Sequence, residues 1–260
     1  MQSVRWLSFC VSNSLTRTVV HFFPSEGSVT APYQASCQLT LFGERSAEKR
    51  VMLEGARLSS PDGVRIEDAF PIVAEEGNGF FGLVVEISTM QPRVDLSGSS
   101  VVIELQSRGQ SAKFWPRFLG TQLIGEPANV GSQISSQISS RCAALPACKD
   151  PFSSCSVLAV NAAQLEHRIE LFARAAGSST ESGNTVAHET GIGLGMVPPH
   201  AAVEVNLPGD FFDAVAPTEF EWGLSRARGI YRNAALPPEL AYFLLYRDVS
   251  SRRIVSVCAI

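Results

Sequence analysis

The segment 177–200, GSSTESGNTVAHETGIGLGMVPPH, holds the densest group of residues able to do chemistry. His188 and Glu189 are neighbours there, and His200 closes the segment. Imidazole nitrogen and carboxylate oxygen both ligate zinc, so these three residues define a candidate divalent-metal or acid–base site. The pair lacks a second histidine four residues after the first, so it is not the helical zinc-protease motif. A surface loop with incidental histidines accounts for the same residues. Long loops in compact domains are commonly functional, which keeps the segment of interest. Its glycines, Gly191, Gly193 and Gly195, do not predict a phosphate cradle. Such a loop runs into a helix N-terminus, whereas Pro198, Pro199 and a strand-like run follow here.

Other residues give weaker signals. Arg226 and Arg228 alternate with small residues, so a strand would place them on one face. With Arg232, and with Arg252 and Arg253, they form a candidate anion-binding patch. The competing expectation is salt bridging to Glu170, Glu204 or Glu221. Cys142, Cys148 and Cys155 lie six and seven residues apart, unlike the close pairs of a structural zinc site. They are read as ordinary thiols, with Cys37 and Cys155 buried at strand starts and a Cys142–Cys148 bridge as the alternative. No Gly-x-Ser-x-Gly elbow occurs. Of the four histidines, His21, His167, His188 and His200, His167 follows Glu166 in an expected turn and is read as solvated. Glu67-Asp68 and Glu75-Glu76 are read as solvated or helix-capping charges. Phe211, Phe212, Trp222 and Tyr231 are expected in a core, with a ligand cleft between domains as the alternative.

The elements that would position these residues are strands. Runs of four to eight residues rich in β-branched and aromatic side chains, ended by turn residues, occur at 38–42, 50–54, 81–87 and 101–105. They recur at 157–160, 168–172, 203–207 and 241–246. Short helices are expected within 66–76 and 207–215, with Asp68 and Asp210 as N-caps. The halves also echo each other. Ser36-Cys37 and Ser154-Cys155 lie 118 residues apart, as do Glu48 and Glu166, Arg50 and Arg168, Val51 and Ile169, and Leu53 and Leu171. Further on the separation is 141, pairing Val64 with Val205, Ile66 with Leu207, Phe70 with Phe211, Phe81 with Trp222, Gly82 with Gly223, and Leu83 with Leu224. The same separation lays the hairpin 101–116 over 242–257 without a gap. One insertion, 177–200, reconciles the two separations. Repeats of this kind are sought before any other feature because they decide the architecture.

The expected fold is all-β: two tandem related β-sandwich domains of immunoglobulin-like type with short helical turns. The first domain is 1–122. A Ser/Gln/Pro-containing linker follows at 123–149, and the second domain is 150–260 with its inserted Gly-rich loop at 177–200. Within the second, MVPPHAAVEVNL at 196–207 resembles the proline-turn-then-strand ending of bacterial immunoglobulin-like modules. The first half departs from it with SSPDGVRIED, and the resemblance implies a sandwich without implying an activity.

The totals narrow the function. A chain of 260 residues suits two domains, and 45% hydrophobic against 18% charged residues supplies cores and argues against disorder. A net charge of −4 and pI near 5.6 give no positive field for nucleic-acid backbones. No run reaches the roughly 18–20 apolar residues of a membrane span. The N-terminus reads as a first strand and the location as cytoplasmic, with a secreted or periplasmic protein as the alternative. With no catalytic constellation visible, the expectation is a non-enzymatic binding or assembly protein without a cofactor. It would recognise protein or carbohydrate, or its own copies as a homo-oligomer. The alternative is a zinc-type metal enzyme with its site at His188, Glu189 and His200.

Overall fold

A computed structural model describes residues 2–13, 15–23, 35–43, 46–53, 58, 60–75, 79–90, 96, 98–123, 153–175, 189–206, 220–224 and 239–259. In chain order the first strands are β1 (Gln2–Ser12), β2 (Thr16–Phe23), β3 (Ala35–Gly43), β4 (Ser46–Leu53), β5 (Val64–Arg65), β6 (Gly79–Thr89), β7 (Ser100–Ser107), β8 (Gln110–Phe114) and β9 (Arg117–Leu123). Then come β10 (Ser153–Asn161), β11 (His167–Ala175), β12 (Glu189–Val197), β13 (Ala201–Asn206), β14 (Phe220–Leu224), β15 (Leu240–Asp248) and β16 (Ile254–Ala259). The described residues are thus mostly β, as their alternating composition leads one to expect. All eight runs read as strands from the sequence fall within or across these elements.

The strands form four antiparallel sheets, ordered β4-β3-β6-β1-β9, β5-β2-β7-β8, β13-β10-β15-β16 and β12-β11-β14. The first three strands of the first sheet and the whole of the fourth follow one relative order. The second and third sheets follow another. Registers agree as well as orders. Phe42 is opposite Gly82 and Leu41 opposite Leu83, while Phe172 is opposite Gly223 and Leu171 opposite Leu224. Val20 pairs with Val64 as Val157 pairs with Val205, and Val19 with Glu104 as Ser156 with Leu245. The separation of 141 therefore recurs in backbone pairing, with 137 relating β2 to β10 and 130 relating β3 to β11. The separation of 118 does not recur. It would lay β3 on β10 and β4 on β11, yet β3 pairs with β4 while β10 pairs with β13 and β15. The ungapped hairpin overlay also fails by three residues. Ile103 faces Phe114, whereas Leu244 faces Cys258 across a longer turn.

The five-stranded sheet is the middle layer. A strand solvated on one face alternates buried with exposed residues, but β1 is buried from Trp6 through Val11. One of its faces looks towards β2, where Cys10 lies within electrostatic reach of Glu67 and Glu67 accepts the Thr18 N–H at 2.9 Å. The other face looks towards β15, where Phe9 meets Phe243 with ring centroids 5.0 Å apart. Strand β9 covers the edge of β1 only as far as Leu7. Beyond that point β8 and β16 approach each other, and Phe114 joins Phe243 around Phe9. Arg253 Nη1 donates to the Arg108 carbonyl at 3.2 Å and ties the two hairpin turns together. One apolar cluster runs from Val4 through Phe114 to Leu158, Phe243 and Leu245, so the halves share a core.

Two single-turn helices, Ile66–Ala69 and Ile72–Glu75, follow β5. Arg65 occupies the first N-cap without a side-chain bond, and Asp68 lies inside the helix instead of capping it. Residues 207–215, with Asp210, lie outside the described residues. Among the described residues no helix is long and apolar enough to cross a membrane.

Candidate functional site

Strand β7 buries Val101, Ile103 and Leu105 against the middle layer, which by alternation turns Val102, Glu104 and Gln106 to the opposite face. His21 on β2 and Lys113 on β8 share that outer face. His21 Nε2 donates to Glu104 Oε2 at 2.7 Å, and Lys113 Nζ stands 3.8 Å from the same oxygen. Burial pushes the Glu104 carboxyl up, but hydrogen bonds from His21, Ser111 and Gln106 and the Lys113 charge outweigh it. The group is held below the usual carboxylate range. The second ring nitrogen of His21 lies close to Gly63. That residue has φ +70°, and a β-carbon on it would lie 2.9 Å from Nδ1 and 2.7 Å from Val19. With Lys113 at the same carboxylate, the pair clasps three strands together.

The second polar cluster joins β10, β13 and β15. Arg247 grips Glu204 bidentately, with Nε to Oε1 at 3.1 Å and Nη2 to Oε1 and Oε2 at 2.9 and 3.1 Å. Ser156 Oγ donates to the same carboxylate, and Arg247 Nη1 donates to the Arg252 carbonyl. The guanidinium also lies 5.5 Å over the Phe80 ring on β6, which links this sheet to the middle layer. The apolar seat beside it is made of Leu158, Val160, Ala241, Phe243 and Leu245, all joined to the core of the first half. This sheet face thus receives the middle sheet.

Glu67, read from the sequence as a solvated or helix-capping charge, lies in the first turn of its helix and is half-buried. Its Oε1 accepts the Thr18 N–H, and its Oε2 is buried without a partner. Burial raises its pKa, opposed by the Thr18 and its own backbone N–H groups and by Arg17, and reinforced by Asp68. Burial likewise pushes the Cys10 and Cys37 thiols up, so both are inert packing groups. Cys155 is half-buried where full burial was expected.

Few of the residues singled out from the sequence fall among the described residues. His188, Arg226, Arg228, Arg232, Phe211, Phe212, Tyr231, Cys142 and Cys148 lie outside the described residues. Glu189 opens β12 and faces Arg174 in the backbone pairing, while His200 follows the strand's far end. At about 3.3 Å per residue, the strand puts Glu189 roughly 25 Å from its other end at Val197. His200 packs its ring edge-on to Phe42 at 5.8 Å. The segment read as a loop is a strand from residue 189, and Gly191, Gly193 and Gly195 pair with β11 inside it. Glu204 is taken by Arg247 instead of the arginine patch. His167 begins β11 with Nε2 buried, where a solvated ring was expected. Among the described residues no group of three metal-ligating side chains converges. Glu104 was overlooked, though its signal was present: a carboxylate in the middle of the apolar run 101–105 requires partners.

Comparison with known proteins returned no match: no family model fits the chain, and neither a curated protein nor a solved structure matches it.

Proposed function

We propose that the protein is a non-enzymatic binding or assembly protein built from two related β-sandwich units, β2–β8 and β10–β16. The carrying observation is the face of β13-β10-β15-β16 that receives the middle sheet through Leu158, Phe243 and Leu245. Tandem units suit multivalent use. Two further facts support relatedness of the units. Strand order is the same in each, and Phe–Gly, Leu–Leu and Val–Val pairs stand at matching registers. Both described carboxylate clusters are saturated by their own neighbours, which suits holding strands together better than exchanging protons with a substrate. The immunoglobulin-like description and a protein or carbohydrate partner belong to the same proposal.

Metal analysis of the purified full chain, together with light scattering, tests this reading. It predicts no stoichiometric divalent metal and a solution mass unchanged by chelator. About one equivalent of metal, lost in His188→Ala and His200→Ala, would contradict it and favour a metal-dependent enzyme.

A further inference from the structure

Strand β4 closes one side of the five-stranded sheet and, among the described residues, pairs with β3 alone. Its other edge leaves backbone N–H and C=O groups open to a further strand. Glu48, Lys49 and Arg50 are exposed, and Met52 is 59% exposed, so the strand is uncovered over this stretch.

The register sorts the side chains of β4. Lys49, Val51 and Leu53 lie across from Leu41, Leu39 and Cys37, which are buried, so these three turn towards the core of the first half. Glu48, Arg50 and Met52 take the opposite face. Beside β4 runs an open groove of about 330 Å³, lined by Lys49 and Val51 and, around the two single-turn helices, by Ala69, Phe70, Pro71 and Ile72. Val51, Ala69 and Ile72 pack against the core yet are only half-buried. The groove is thus a gap in the rim of the core. A strand added to β4 would lie about 4.8 Å further out and carry alternate side chains over it.

Charge decides which strand fits. Arg50 is engaged by Glu48 at 2.6 Å, whereas Lys49 has no carboxylate partner among the described residues. A core-facing lysine on an edge strand discourages an apolar strand, which would bury the ammonium unpaired. The same lysine favours a strand with a carboxylate across from it. Two residues along, across from Val51, the groove takes an apolar side chain. A second copy of β4 does not meet this pattern. Antiparallel self-pairing with the core-facing sides together sets Glu48, Lys49 or Arg50 across from its own copy in the three central registers. Like charges directly opposite are destabilising.

We infer that the β4 edge takes an extended segment of another protein as an added strand, with an acidic and an apolar residue two apart facing Lys49 and Val51. The inference rests on the binding-protein reading for the existence of a partner and on β4 alone for its place.

The probe is the fluorescein-labelled peptide Thr-Glu-Thr-Leu-Thr-Leu-Thr-Glu-Thr, which reads the same in both directions and so suits either strand polarity. Its binding to the full chain is followed by fluorescence anisotropy. Hydrogen exchange is followed at those amides of residues 48–53 that are not bonded to β3. Saturable binding is expected, with slowed exchange at these amides. Lys49→Glu, at an exposed position, should weaken binding at least about tenfold. A peptide with lysine in place of both glutamates should reverse the preference and bind Lys49→Glu better than wild type. No saturable binding, or binding that ignores both charge changes, would overturn the inference. So would amides already protected in the free chain, which would give the edge to a second copy or to another segment. Each of these failures sinks the β4 site alone; the binding-or-assembly reading is contradicted instead by stoichiometric metal in the same samples.

Discussion

Phe42 lies directly across from Gly82 in the β3–β6 pairing, and its ring fills the space above that glycine. A β-carbon at Gly82 would sit 2.1 Å from two ring carbons. The strand thus needs glycine for room, at a position where any other residue would drive the ring off the sheet. The backbone of the second unit brings Phe172 across from Gly223 in the same register. The same pair of residue types therefore stands at matching places in the two backbone pairings.

Gly82→Ala is therefore expected to destabilise the protein by about 1–3 kcal/mol, the usual range for overpacking a filled site. Phe42→Leu in the same chain should recover part of the loss, because it removes the colliding ring. Gly223→Ala should behave similarly if the units are related. Denaturant midpoints for the single and paired variants check this.

Glu67 should make stability fall as pH rises. Its folded pKa is raised, chiefly by burial, so the native state holds a proton that the unfolded chain releases earlier. The associated stability is complete below the ordinary carboxylate pKa and is lost as pH climbs through the folded value. Glu67→Gln keeps an oxygen for the Thr18 N–H and carries no charge to bury. It is expected to be the more stable protein at neutral pH, with the advantage disappearing in acid; urea melts at several pH values decide it.

Glu104 should act in the opposite sense. Its folded pKa is lowered because the hydrogen bonds and the Lys113 charge outweigh burial. Its contribution is present above the ordinary carboxylate pKa and lost as pH falls through the folded value. Glu104→Gln should flatten the acid limb of the stability curve, and His21→Gln should do so in part. An acid limb identical to wild type in both variants would show that the clasp contributes nothing.

Arg247→Met should cost roughly 1–3 kcal/mol, since it leaves the Glu204 carboxylate partly buried with only Ser156 beside it. Arg247→Lys should recover little, because an ammonium cannot reproduce the fork or lie flat over Phe80. A double-mutant cycle with Glu204→Gln measures the coupling directly.

The strands were legible because alternation and turn residues are local signals, and the Gly82/Gly223 and Val64/Val205 matches, 141 apart, also stand at matching places in the backbone pairing. Pairing partners were not legible. Ser36-Cys37 resembles Ser154-Cys155 in residue type, but β10 corresponds in pairing to β2, whose TRTVVHFF has little likeness to SSCSVLAVN. Nothing local records which strand lies beside which. The seat was hidden for a related reason. Phe243 and Leu245 look like ordinary core residues, and only the layering shows that they meet the first half of the chain. The histidines drew attention by chemistry alone, while β12, an extended strand, carries Glu189 away from His200.

The most direct test of the two-unit account is the pairing of β11 in solution, read from cross-strand backbone contacts in nuclear magnetic resonance spectra of the full chain. The account predicts Phe172 against Gly223 and Leu171 against Leu224, with β10 between β13 and β15. Contacts joining β10 to β11 as an adjacent hairpin would contradict it. They would restore the separation of 118 and dissolve the two-unit reading.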